Sequence, residues 1–364
     1  MAPAQTSASG AALLPMALAA SIARPGSMRS DFLMKKIKGE NLMNVCDKKN
    51  LIVFGASGTG KSHKLESDRV KFFGENYERV TFYPTYSYAQ FVGAYKPVMK
   101  PKANGAVGEE EIAYEFVPGP FLRVLVKALS DRDHNYCLVI EEINRANAAA
   151  VFGDVFQLLD RKDGVSEYSV AASEDVKKYL NKVLTKAAKD ALCELAGSAD
   201  SLKIPSNMYI WATMSSADQG VFPMDAAFKR RWAFEYIGID DGVTDECRQW
   251  AVEGNGYNWN DFRCFINELL SAYDVNEDKL MGPYFVKADN GDIISKKLFV
   301  YNVLKYIWED VAQMVRKNLF GENIKTYSQL IREWDNYGIK VFLEAVGQTG
   351  SDEIRYLYGK LAGE

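Results

Sequence analysis

Leu51-Ile52-Val53-Phe54-Gly55-Ala56-Ser57-Gly58-Thr59-Gly60-Lys61-Ser62 is the stretch on which the fold turns. Four apolar residues read as a buried strand, and they run directly into a glycine loop of the form G-x-x-x-x-G-K-[ST] that opens a helical pattern. Strand, glycine loop and helix in that order are the context in which this pattern cradles phosphate. The backbone from Gly55 through Ala56, Ser57, Gly58, Thr59 and Gly60 can turn its N–H groups inward. Lys61 then offers a compact cation to the outer phosphates, and the Ser62 hydroxyl is placed to ligate Mg²⁺.

Working outward, short apolar runs at Leu51–Phe54, Arg79–Phe82, Cys137–Ile140 and Met208–Ala212 read as buried parallel strands. Between the last two, Ser173–Leu195 carries apolar residues at helical spacing behind Ser173-Glu174-Asp175, which predicts one amphipathic helix. After about Gly238 the strand signal fades. Phe262, Phe265, Ile266, Leu269 and Leu270, and later Leu298, Tyr301, Leu304, Trp308 and Val311, recur at helical spacing. The expected architecture is α/β, a parallel sheet flanked by helices in a nucleotide-binding core over residues 29–238. A mostly helical lid and C-terminal region follows over 239–364. Residues 1–28, rich in Ala, Ser and Pro with Arg24 the only charge, read as a disordered leader or an appended extension.

The third strand ends in Glu141-Glu142, at the carboxyl edge where a parallel sheet presents side chains to a ligand. Beside a phosphate loop this pair reads as a Walker B element. Glu141 would hold Mg²⁺ through water, and Glu142 would orient and polarise the attacking water. The fourth strand ends in Thr213-Met214-Ser215-Ser216-Ala217-Asp218, small polar residues suited to the neighbourhood of a γ-phosphate. Downstream, Arg230 and Arg231 are adjacent guanidinium groups that suit an arginine finger reaching a neighbouring subunit's nucleotide.

With these blocks in order, the chain resembles the McrB-like branch of AAA+ nucleoside triphosphatases, the motor subunits of modification-dependent restriction systems, over roughly residues 40–320. The likeness extends beyond the phosphate loop. It rests on Tyr83 to Phe91 with Tyr95-Lys96-Pro97, and on Val139 to Asn147 with Phe152-Gly153. Pro205 to Tyr209 leading into Thr213-Met214, Asp225 to Arg231, and Met281-Gly282-Pro283-Tyr284-Phe285 complete it. The resemblance implies an AAA+ core with a helical lid, assembled as a homo-oligomeric ring, a hexamer, with nucleotide between subunits. It further implies Mg²⁺ as cofactor, a partner nuclease, and DNA contacted through the complex. Glu141 and Glu142 carry over as the Mg²⁺-linked acid and the catalytic glutamate, Asn144 and Arg145 as an inter-subunit signature, and Arg230 and Arg231 as fingers. Ser215 stands where the family usually has Asn at sensor 1, which implies slowed hydrolysis. The block around Ser215 also departs from that of the GTP-preferring members, so ATP is favoured as substrate and GTP stays open.

Composition limits the alternatives. Forty-four Lys and Arg against 48 Asp and Glu give a net charge of −4, so no overall basic field would hold nucleic acid. The five cysteines are scattered without a C-x-x-C pair, and only His63 and His134 supply imidazole, which disfavours disulfide frameworks, zinc sites and histidine relays. No apolar run is long enough to span a membrane, and the expected compartment is the reducing cytoplasm. Two other functions fit the same motifs: a MoxR-like chaperone ATPase that remodels protein, and a nucleotide-dependent switch with little turnover. The tyrosines between Phe82 and Tyr95 read better as packing than as base-stacking groups.

Overall fold

The computed structural model describes residues 48–101, 110–198, 200–215, 220–254 and 256–363. The expected leader over 1–28 and the block Ser216–Gln219 lie outside the described residues. Among the described residues, no helix is long and apolar enough to cross a membrane.

Five parallel strands form the central sheet: β1 (Asn50–Gly55), β2 (Tyr77–Thr81), β3 (Tyr136–Glu141), β4 (Met208–Ser215) and β5 (Ala233–Tyr236). Their order is β5-β1-β4-β3-β2. The chain thus leaves β1 and returns at β2 with two strands, β4 and β3, between them, creating a switch point between β1 and β4 at the carboxyl edge, where α/β sheets bind ligands. Register puts the chemistry on that edge. Gly55 pairs with Ser215, and Glu141 pairs with Thr81. The inner strands are continuous apolar runs because helices cover both faces: Ile52, Leu138, Ile140, Ile210 and Trp211 are fully buried. Each such side chain contributes about 1.5–3 kcal/mol of burial.

Helix α1 (Lys61–Phe73) starts at Gly60, whose φ of 92° lets the loop turn into the helix. It packs on β4 through Phe73, whose ring lies 4.9 Å from that of Trp211. Helix α2 (Pro120–Ser130) begins with Pro at its first turn and buries Phe121, Leu122, Val124, Leu125, Ala128 and Leu129. The single helix expected over Ser173–Leu195 is two: α3 (Glu174–Val183) and α4 (Lys186–Ala196). Leu184 is extended at ψ 137°, and the Thr185 side chain accepts from the Ala188 N–H, so a second N-cap interrupts a continuous apolar stripe. Strand β5 and an antiparallel hairpin, Gly93–Pro101 with Glu110–Pro118, add to the strands expected from sequence.

The apolar side chains gather in two clusters. The first runs from Ile52 to Trp232 around the sheet. The second runs from Cys247 to Leu361 and is built on helices, with α5 (Trp259–Ser271) at its centre; its Trp259, Phe262, Phe265 and Ile266 are fully buried. Across Phe299–Leu304 and Ile307–Val311 the backbone makes π-helical turns. That widened winding buries Val300, Val303 and Ile307 and leaves Tyr301, expected inside, 53% exposed.

Candidate functional site

The phosphate loop leaves β1 at Gly55 and enters α1 at Lys61. Gly58 adopts φ 76°, a left-handed conformation that glycine takes without steric cost. A Cβ there would stand 2.3 Å from the Phe285 backbone nitrogen, because the second cluster reaches back onto the loop. Gly282 N–H donates to Ser57 O at 2.9 Å, and Tyr284 N–H donates to Gly58 O at 2.8 Å. Lys61 is buried, with Nζ donating to Gly55 O at 3.0 Å and Ala56 O at 2.8 Å, so its ammonium lies inside the curl of the loop. The Thr59 hydroxyl donates to Ala56 O at 3.0 Å and braces the same curl.

Glu141 closes β3 beside that loop. Its Oε2 accepts from Ser62 Oγ at 3.1 Å and from Thr213 Oγ1 at 2.5 Å. Ser62 and Glu141, placed together by the sequence reading, therefore meet directly. Oxygen donors of this kind, a hydroxyl and a carboxylate, match the preference of Mg²⁺. The structure adds Arg79, whose Nη1 lies 3.2 Å from Glu141 Oε1.

Glu142 is a non-glycine residue in the left-handed region, with φ 55°. Such a backbone persists only where its surroundings enforce it. Here the enforcement is visible: Glu142 N–H donates to Thr213 Oγ1 at 3.0 Å, and Ser215 Oγ donates to Glu142 Oε1 at 3.1 Å. The other carboxylate oxygen is buried without a hydrogen-bond partner, 3.8 Å from Arg145 Nε. Asn144 is buried and donates through Nδ2 to Ser215 O at 2.7 Å, tying the Walker B segment to the end of β4. Asn144 thus serves an internal contact, and Arg145 is exposed beside Glu142.

The two arginines expected to act alike are separated. Arg230 is exposed at the end of the short turn Ala226–Lys229. Arg231 is turned inward: its Nη2 pairs with Asp160 Oδ2 at 2.7 Å, Nη1 donates to Ala227 O at 2.8 Å, and the guanidinium lies 4.0 Å over the Phe156 ring. Its own carbonyl accepts from Asn50 Nδ2 at 2.9 Å, which places it at the start of β1, the end of the sheet away from the phosphate loop. A guanidinium committed in this way is an internal brace, so the expectation of a finger narrows to Arg230.

Around the loop lies a pocket of about 410 Å³ lined by Ser57, Gly58, Gly60, Lys61, Ser62 and His63 together with Glu142 and Ser215. Its far wall is Glu246, Trp250, Tyr284 and Lys287. Three of these four escaped the sequence reading, since isolated residues in a helical region carry no motif. Only Tyr284 stood in a block that signalled the lid.

Residues 50–232 match the AAA domain family of the dynein-related subfamily. The chain is 44% identical over 313 residues to component YdiS of the Type II restriction enzyme BsuMI of Bacillus subtilis strain 168, covering 79% of this chain and 86% of that protein. It is 28% identical over 199 residues to the EcoKMcrB subunit of the Type IV methyl-directed restriction enzyme of Escherichia coli K12, covering 54% of this chain and 36% of that one.

Proposed function

Since the chain belongs to the AAA family, in its McrB-like group related to restriction-system components, we propose that it is the nucleotide-hydrolysing motor of a restriction system, using ATP in preference to GTP and working as a hexameric ring with a partner nuclease. The observation that carries the chemistry is the convergence of Lys61, Ser62, Glu142 and Ser215 on one pocket, with Glu141 held by Ser62. The restriction role is supported by the identity to the BsuMI component across most of its length. No observation favours the protein-remodelling alternative.

Phosphoryl transfer asks for positioning and charge neutralisation rather than covalent chemistry. Loop N–H groups and Lys61 hold the phosphates. Ser62 and Glu141 would hold Mg²⁺, which would supply Lewis-acid charge neutralisation when bound. Glu142 orients the attacking water, and Thr213 ties the two residues together, donating its hydroxyl to the Glu141 carboxylate and accepting from the Glu142 backbone N–H. Arg230 of one subunit would complete a neighbour's site, and DNA would be engaged through the assembled complex.

The test is phosphate release by the full chain with ATP or GTP, with and without duplex DNA, and with Glu142→Gln as the blank. ATP turnover that rises with DNA or with the partner nuclease supports the motor reading. Nucleotide binding without turnover under every condition would overturn it in favour of a switch.

A further inference from the structure

Glu141 has both oxygens engaged before any cation is considered. Ser62 and Thr213 hydroxyls take Oε2, and Arg79 takes Oε1. Arg79 stands on the edge strand β2, two residues before Thr81, the register partner of Glu141, so its side chain crosses the diagonal between strands. The same guanidinium pairs through Nη2 with Glu66 on α1. Glu66 is itself held ionised, below the ordinary carboxylate range, by the Arg69 hydrogen bond and by the charges of Arg79 and Arg69. Arg79 is therefore shared between an acid of the metal site and a second acid that has no part in it.

We propose that Arg79 is a positioning residue that sets how strongly Glu141 draws a divalent cation, competing for the carboxylate and withdrawing to Glu66 when the cation engages. This rests on the reading of Ser62 and Glu141 as the Mg²⁺ residues. A guanidinium on the metal-linked carboxylate opposes a 2+ charge in two ways, by occupying a lone pair and by direct repulsion. Neither effect needs the nucleotide to be hydrolysed. Because Glu66 offers a second anchor, Arg79 can yield Glu141 without becoming an unpaired charge. Removing Glu66 should tighten Arg79 on Glu141.

The test uses the full chain with a non-hydrolysable ATP analogue, and Mn²⁺ as the probe, followed by the loss of its free paramagnetic resonance signal. Arg79→Gln should bind Mn²⁺ roughly five-fold more tightly, and Glu66→Gln should bind it about two-fold more weakly. Analogue affinity in excess EDTA should be the same in all three proteins, and each variant's thermal unfolding reports that it is folded. A structural brace would not move the two variants in opposite directions. Unchanged or weaker Mn²⁺ binding in Arg79→Gln overturns the proposal. Glu141→Gln separates the two levels: if it binds Mn²⁺ as well as the unaltered chain, the metal assignment of Glu141 fails first and the role of Arg79 falls with it.

Discussion

Ser215 Oγ donates a hydrogen bond to Glu142 Oε1 at 3.1 Å, across the boundary between β4 and the Walker B segment. The resemblance to the McrB-like family puts Ser215 at the sensor 1 position usually held by Asn and implies slowed hydrolysis. The geometry gives the short side chain a use: with Asn144 drawing the Ser215 carbonyl toward it, the hydroxyl ends at the carboxylate whose backbone is held left-handed. Ser215→Ala removes one hydrogen bond to a charged acceptor, worth about 1.5–3 kcal/mol. The expected result is a kcat lowered by about ten-fold or more with nucleotide affinity unchanged. Steady-state phosphate release and equilibrium nucleotide binding check this, and an unchanged kcat would remove Ser215 from the mechanism.

Lys61 and Glu142 should separate binding from turnover. Lys61 sits in the curl of the loop with its ammonium against Gly55 and Ala56 carbonyls, where it would meet bound phosphates. Lys61→Ala is expected to lose nucleotide binding. Glu142→Gln keeps the shape and the acceptor for Ser215 but loses the charge proposed to polarise water. It should bind nucleotide normally and turn over at least 100-fold more slowly. Normal turnover in Glu142→Gln would assign the water-positioning role elsewhere.

The contact between the segment carrying Gly282 and Tyr284 and the phosphate loop yields a prediction invisible in either stretch alone. Gly282 lies 224 residues after Gly58, yet a Cβ on Gly282 would stand 2.4 Å from the Gly58 carbonyl carbon and from the Thr59 nitrogen. No flexible side-chain end is available to move aside. Gly282→Ala should therefore force the segment off the loop, break the bonds to Ser57 O and Gly58 O, and weaken nucleotide binding by at least ten-fold. Because the helical cluster itself is untouched, its unfolding transition should persist. Titration with a fluorescent nucleotide analogue, paired with thermal unfolding, separates the two effects.

What was legible in the sequence follows from where the signals are local. Strands β1, β3 and β4 announce themselves as apolar runs ending in glycine, acids or small polar residues, and the site residues on their carboxyl ends are carried by those same boundaries. Strand β2, expected to be buried, is an edge strand that buries none of its residues. Strand β5 was not legible: Ala233-Phe234-Glu235-Tyr236 is half exposed at the sheet edge and follows two arginines that draw attention to themselves. The break between α3 and α4 hides because Thr185 caps a helix inside an unbroken apolar stripe. Arg79 and Arg231 were missed or misread for a common reason. Their meaning lies in carboxylates 62 and 71 residues away, Glu141 and Asp160, and only the folded sheet brings them together.

That distance decides how the paired arginines should behave. Arg231→Ala leaves Asp160 without its guanidinium partner and strips the cover from Phe156, so it should cost about 3 kcal/mol of stability and appear as a lowered unfolding temperature. Arg230 is exposed and braces nothing by a side-chain contact among the described residues, so Arg230→Ala should unfold at the temperature of the unaltered chain. If Arg230 serves a neighbour's nucleotide, that substitution alone should reduce kcat by about 10³-fold or more. Mixing then supplies the decisive measurement. Arg230→Ala subunits keep Glu142, and Glu142→Gln subunits keep Arg230. Each protein alone is inactive, but an interface that joins them pairs an intact Glu142 with an intact finger. Recovery of phosphate release on mixing is the expected outcome, and failure to recover, with mixed assembly confirmed by light scattering, would confine Arg230 to a role within its own subunit.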